Sequence, residues 1–229
     1  MKDIGVLSVV ATPIGNLGDI TLRAIETLKQ ADAIACEDTR VTSKLLSRFD
    51  IQKPLLVYHA RSGRLAADKV LQLLADGKRV ALVTDAGTPG ISDPGNELVR
   101  AVYERLGSDA KVEGIPGPSA LATALSIAGM HTHEFLFLGF LPHKKGRETL
   151  FKEIAAEKRA VVFYESTHRI EKALESLEKI LDEKREVAVG RELTKFHESL
   201  VRGNAAEVRA YFKEHTDEVR GEFVVIVGP

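Results

Sequence analysis

The chain has 229 residues, 44% of them hydrophobic and 28% charged, enough for one large soluble domain or two modest ones with a real core. Thirty-two basic residues against thirty-three acidic ones give a net charge of −1, which argues against non-specific coating of nucleic acid but leaves room for a local basic face. The single cysteine, Cys36, excludes an internal disulfide framework and a cysteine-rich metal cluster and suits a reducing compartment. No apolar run approaches the roughly 20 residues needed to span a bilayer. The opening M-K-D-I-G carries no leader pattern, so a cytoplasmic protein is expected.

Apolar runs alternate with helical patterns through the first half. Residues 6–11 are near-continuously apolar, as a strand covered on both faces must be. The turn-rich Thr12-Pro13-Ile14-Gly15-Asn16-Leu17-Gly18-Asp19 follows, and then Leu22, Ile25 and Leu28 repeat at helical spacing. Residues 33–36 read as a second strand, 41–49 as a short helix and 55–58 as a third strand. Ala66, Val70, Leu73 and Leu74 form a helical stripe ended by Gly77, a residue type suited to a C-cap. A strand over 80–83 runs into residues 84–95, T-D-A-G-T-P-G-I-S-D-P-G, and a helix from about Asn96 carries Leu98, Val102 and Leu106 on one face. Residues 111–115 close this half as a fifth strand. Strand and helix alternating over short links specify a parallel sheet layered by helices.

Ile115-Pro116-Gly117-Pro118 interrupts any regular element. It sets the expected boundary between an N-terminal α/β domain, residues 1–115, and a C-terminal α/β domain, residues 116–229, with a cleft between them. A small-residue helix over 119–129 opens the second half. Residues 135–139 and 160–164 read as strands flanking a basic loop, Pro142-His143-Lys144-Lys145-Gly146-Arg147. A helix with Ile170, Ala173, Leu174, Leu177 and Leu181 on one face follows. Strands over 187–189, 197–201 and 223–227, with a helix through Val208 and Phe212, complete a second sheet. There is no internal repeat or low-complexity segment.

Residues 84–95 hold three glycines and two prolines, so the chain leaves a buried strand through a stiff loop that lets backbone approach a ligand. In an open α/β sheet, ligands bind outside the carboxyl ends of the strands, where this loop belongs. Neither the P-loop string G-x-x-x-x-G-K-[ST] nor the dinucleotide fingerprint G-x-G-x-x-G is present. The Thr12 and Thr84 loops contain no lysine or arginine. They offer backbone groups, Asp85, Asp93 and small side chains, which suit a nucleoside or a sulfonium cofactor better than a strongly anionic ligand. Tight turning alone is the plainer reading, weightier for the Thr12 loop than for the Thr84 loop. His131 and His133 have no carboxylate or cysteine cluster beside them in sequence, so no metal site is expected.

Seven segments in order carry a resemblance. They are V-A-T-P-I-G-N-L-G-D-I-T-L-R-A (10–24), E-D-T-R (37–40), D-A-G-T-P-G-I-S-D-P-G (85–95), P-G-P-S-A (116–120), G-F-L-P-H-K (139–144), Y-E-S-T-H-R (164–169) and R-E-L-T-K-F-H-E (191–198). Together they resemble the ribosomal small-subunit methyltransferase I family, within the tetrapyrrole-methylase superfamily of S-adenosylmethionine enzymes. The resemblance implies two α/β domains of the tetrapyrrole-methylase type, with the cofactor in the interdomain cleft. It implies 2′-O-methylation of a cytidine ribose in the decoding region of 16S rRNA; the near-zero net charge fits an RNA substrate met within an assembled 30S particle rather than as free RNA. A homodimer, no metal and no membrane contact are implied as well. The chain departs from the family at His59-Ala60-Arg61-Ser62, where a His-Asn-Glu-like string is usual, and at Thr167, where proline is common.

By the same resemblance, S-adenosyl-L-methionine is lined by Pro13 and Ile14, by Asp85, Ala86, Gly87, Thr88 and Ile91, by Ser119 and Ala120, and by Phe163 and Tyr164. Methyl transfer from a sulfonium is an in-line displacement, and the neutral ribose hydroxyl needs an acceptor for its proton. The candidates are Glu37, Asp38, Glu165, His168, Glu192 and Lys195, with Arg40 as a phosphate or ribose contact. Asp38 or Thr39 equally suits the cap of the following helix. For RNA the candidates are Arg23, Lys144, Lys145, Arg147, Arg169 and Arg191, and a solvated charge run is the plainer account of the loop lysines. Arg40, Lys44 and Arg48 are available to extend the same basic face. Two other classes stand beside this reading: a methyltransferase acting on a small tetrapyrrole-like molecule, and a non-catalytic ribosome- or RNA-binding module of the same fold.

Overall fold

A computed structural model describes residues 4–59 and 63–229, which form two compact units, the first ending at Ser119 and the second starting at Ala120. The division falls after the Pro116–Pro118 turn rather than before it.

Unit 1 holds strands β1 (Val6–Val10), β2 (Ala33–Cys36), β3 (Leu55–Val57), β4 (Val80–Leu82) and β5 (Lys111–Ile115) in the order β3-β2-β4-β1-β5, all parallel. Helices α1 (Leu22–Gln30), α2 (Thr39–Arg48), α3 (Gly63–Ala75) and α4 (Gly95–Leu106) connect them. The central strands β2 and β4 are buried on both faces, so successive residues of β4 serve two cores. Ala81 packs with Leu28, Ile34 and Leu46, whereas Val80 and Leu82 pack with Val70, Leu98 and Val102. On α1 the buried face differs from the expected one. Leu22 is 86% exposed, and Ala24, Thr27 and Leu28 point inward. Thr27 is tolerated there because its hydroxyl donates to the Arg23 carbonyl at 2.8 Å.

Unit 2 begins with α5 (Ala120–Ala128) and holds β6 (Phe135–Phe140), β7 (Ala160–Ser166), β8 (Glu186–Arg191), β9 (Ser199–Asn204) and β10 (Glu222–Val227), in the order β6-β7-β10-β8-β9. Only β6 and β7 run parallel; the other neighbours are antiparallel. Helices α6 (Arg147–Ala156), α7 (Ile170–Ile180) and α8 (Ala205–Glu214) build one core with the sheet, around Phe163, Phe212, Phe223, Leu174 and Leu177. The stretch read as a basic loop is therefore loop and helix: Lys144 and Lys145 precede α6, and Arg147 is its first residue. This helix is faint in the sequence because its cap is Gly146, at φ +82° with no side-chain cap, and it buries only Phe151 and Ile154.

Candidate active site

In unit 1 the candidate residues gather at the carboxyl ends of three adjacent strands, β2, β4 and β1. Each strand runs out into a loop, and the loops are tied to one another. The Thr12 amide donates to the Gly87 carbonyl at 2.9 Å and the Gly87 amide returns the bond to Thr12 at 3.1 Å. The buried Thr12 hydroxyl donates to the Thr84 carbonyl at 3.1 Å. The Thr84 hydroxyl donates to Oε1 of Glu37 at 3.0 Å, and Oδ1 of Asp85 accepts from the Asp38 amide at 3.1 Å.

Gly87 sits at φ +84°, a backbone region that L side chains enter at a cost, so the bridge to Thr12 itself requires glycine there. Asp93 braces the far half of the loop by accepting from the amides of Gly90 at 2.8 Å and Gly95 at 2.7 Å. Thr88 donates its hydroxyl to the Pro118 carbonyl at 3.2 Å. Pro13 and Ile14 are buried behind the bridge, while Asp85, Ala86 and Ile91 face solvent. Ser119 closes unit 1 and Ala120 opens α5. On the α2 side lies a cavity of ≈ 310 Å³ whose walls include Thr12, Leu17, Val41, Lys44, Thr84 and Asp85.

The two carboxylates after β2 stand in opposite environments. Burial pushes the Glu37 carboxyl above its usual range, and the nearby negative charges of Asp85 and Asp93 add to this against the Thr84 hydrogen bond. Asp38 caps α2 by accepting from the Arg40 amide at 2.8 Å, and the Arg40 guanidinium closes on the same carboxylate. Those bonds hold the Asp38 carboxyl down at about 2. His59 follows β3, and residues 60–62 of the family departure lie outside the described residues.

Unit 2 places its candidates differently from one another. Glu165 is buried at the end of β7, with Oε2 2.9 Å from Arg147 Nη2 and Oε1 2.8 Å from Arg169 Nε. Arg147 also donates to the Pro142 carbonyl, and Arg169 to the Leu141 carbonyl. Arg191 is buried and donates to the carbonyls of Arg220 and His197. Lys195 pairs with Glu192 and Glu222, each at 2.7 Å. Burial opposes the Lys195 charge, but the two carboxylates outweigh it and raise the ammonium above the usual lysine value. Lys144, Lys145 and His168 are exposed, and Arg23 is exposed with one nitrogen donating to the Gly114 carbonyl. The Phe163 ring lies in the core beside Phe151, whereas Tyr164 is half-buried and met edge-on by Phe137 and Phe140. Among the described residues, no group of three or more His, Cys, Asp or Glu side chains is placed to hold a metal ion. Among the same residues, no helix is long and apolar enough to cross a membrane.

Residues 6–209 match the family described as Tetrapyrrole (Corrin/Porphyrin) Methylases. The chain is 46% identical to the ribosomal RNA small subunit methyltransferase I of Synechocystis sp., covering 98% of this chain and 79% of that protein. It is 42% identical to the protein of the same name from Thermotoga maritima, covering 98% of both. The chain belongs to the ribosomal RNA small subunit methyltransferase I family. The seven ordered segments had indicated as much. The fold of the chain is that of the tetrapyrrole methyltransferases. The solved structure of the methyltransferase CobJ superposes with a TM-score of 0.71 at 21% identity, over 98% of this chain and 94% of that one. Native uroporphyrin III C-methyl transferase from Thermus thermophilus gives 0.67 at 20% identity, over 98% and 97%.

Sequence reasoning passed over several residues that shape the loop cluster. The Thr12 and Thr84 hydroxyls join the loops, and Leu17 and Val41 wall the cavity. Their one visible signal is position: each lies directly beyond, or one turn beyond, the end of a predicted strand.

Proposed function

We propose that the protein transfers a methyl group from S-adenosyl-L-methionine to the 2′-oxygen of a cytidine ribose in the decoding region of 16S rRNA, acting in the cytoplasm as a homodimer on an assembled 30S particle. The observation that carries this reading is the near full-length identity of more than 40% to proteins named ribosomal RNA small subunit methyltransferase I. The loop cluster supports the cofactor, because the exposed Asp85 carboxylate and the backbone around Ala86 and Gly87 suit a cationic, uncharged-at-phosphate ligand. Pro13, Ile14, Thr88, Ile91, Ser119, Ala120 and Tyr164 are the further residues assigned to it, with Phe163 contributing backbone only. When bound, the cofactor supplies an electrophilic methyl group and departs as the neutral thioether.

The protein's own task is to position the ribose and take its proton. As the new O–CH3 bond forms, the O–H bond breaks and the proton passes to Glu37, the half-buried carboxylate whose raised pKa makes it a better acceptor than an ordinary glutamate. Asp38 serves as the helix cap and pairs with the Arg40 guanidinium, whose exposed side meets a phosphate. Glu165 acts as a positioning residue for Arg147 and Arg169, and Arg191 and Lys195 hold the loop after β8. Lys144, Lys145, Arg23 and His168 are exposed side chains available to meet RNA.

The test uses purified protein, labelled S-adenosylmethionine and 30S particles from cells lacking this chain. Cofactor at about a hundred times its dissociation constant stabilises the native state by about 2.7 kcal/mol, read as a rise in Tm. Label is expected at one cytidine ribose of the particle and far less in deproteinised RNA. Label on a base, or cofactor binding without transfer to either substrate, overturns the reading.

A further inference from the structure

The loop cluster of unit 1 has two sides. Strand order places β5 on one flank of β1, and β4 and β2 on the other. On the β5 side, a side chain at Gly87 would make ordinary contact with Ile14 and the Pro118 carbonyl, and Thr88 bonds that same carbonyl. The β2 side is open and holds the ≈ 310 Å³ cavity, bounded by the loop after β1, the loop after β4 and the outer face of α2. That volume lies within the range of small-ligand sites.

Its wall chemistry is mixed in a particular way. Leu17 and Val41, from separate elements, remain 44% and 39% exposed although each is a large apolar side chain, and Leu45 continues the α2 wall. Its polar lining is Thr12, Thr84 and Asp85; Thr84 bonds Glu37, Thr12 bonds Thr84, and Asp85 accepts from the Asp38 amide. The exposed Lys44 stands on the same helix one turn from Val41 and lines the cavity rim. Exposed apolar side chains from two elements, hydrogen-bonding threonines and a single cation in one lining match one unstacked nucleoside. Its base packs on the apolar side chains, its ribose reaches the threonines, and its phosphate meets the lysine.

We infer that this cavity is the slot for the methyl-accepting nucleoside of the RNA, with Leu17 and Val41 flanking the base and Lys44 on an adjacent phosphate. The assignment rests on the RNA-methylating function proposed above and adds its acceptor subsite. It puts donor and acceptor side by side, because the cavity shares Pro13 and Asp85 with the residues assigned above to the cofactor.

The experiment compares wild type with Val41→Trp, which fills the slot, and Lys44→Ala, which removes the cation. Both positions are exposed, so neither change burdens folding. Methylation kinetics are measured on unmodified 30S particles at two salt concentrations, and cofactor affinity is measured separately by calorimetry. Val41→Trp is expected to lower kcat/KM for the particle roughly tenfold or more through KM. Lys44→Ala is expected to weaken particle binding and to reduce its salt dependence by about one counterion, with Lys44→Arg restoring both. Cofactor affinity stays unchanged in all three. Particle kinetics unchanged in both variants overturn the slot while leaving the function standing. A matching loss of cofactor affinity also overturns it, since the cavity would then hold the donor. A wild type that binds cofactor but methylates no particle removes the function and the slot together.

Discussion

Glu37 and Glu165 are both glutamates at the end of a central strand, and their surroundings assign them different work. Glu165 is buried and spends both oxygens on arginines; Glu37 is half-buried and holds one threonine hydroxyl. Because burial raises the Glu37 pKa, this group binds its proton more tightly in the folded chain than in the unfolded one. Its contribution to stability is therefore full below the unfolded carboxyl pKa and is lost as pH rises through the folded value. Activity runs the other way, since only the ionised form accepts a proton. Glu37→Gln is expected to raise Tm at neutral pH, to cut methyl transfer by about a hundredfold or more, and to remove the acid limb of the pH–rate profile. A variant that keeps that limb assigns the proton acceptor elsewhere. Gly87 is a poor probe by comparison, because at φ +84° any larger residue strains the bridge before it meets a ligand.

At the level of elements, Glu165 is a clasp. Through Arg147 and Arg169 it fixes the end of β7 to the start of α6 and the turn before α7, and the same arginines take up the Leu141 and Pro142 carbonyls. Glu165→Gln would leave two mostly buried guanidiniums without their counter-charge. Loss of such a partner costs about 3–5 kcal/mol, to be read as a lower denaturation midpoint for unit 2. A stability change below about 1 kcal/mol would show that the clasp is solvent-screened. The clasp was not legible in the sequence, where Y-E-S-T-H-R offers a carboxylate and basic residues with no sign of who pairs with whom. The central strands were legible because buried strands are apolar without interruption, as Ala33–Cys36 shows. Helix α6 was not, because a glycine cap and two buried residues leave almost no periodic trace. The Thr84 loop announced itself through its glycines and prolines. The cavity beside it did not, because its walls come from three separate segments.

Across the whole molecule, the two units solve the sheet problem in different orders. Unit 1 places its first strand, β1, between β4 and β5, so its centre is laid down early and waits for partners about 70 and 105 residues later, separations that slow folding. Unit 2 does the reverse. Its last strand, β10, lies in the middle of the sheet, bonded to β7 on one side and to β8 on the other. Deleting residues 222–227 is therefore expected to unfold unit 2 while unit 1 keeps protected amides in hydrogen exchange. Retained protection in β7 and β8 after that deletion would contradict the expectation. During synthesis the consequence is one of timing. Until residue 227 has emerged, β7 and β8 each present an unpaired edge, and the hydrophobic rows of Phe223, Val225 and Val227 are missing from the core they complete. The second unit thus closes in a single late event, by insertion of a strand rather than by growth from an edge.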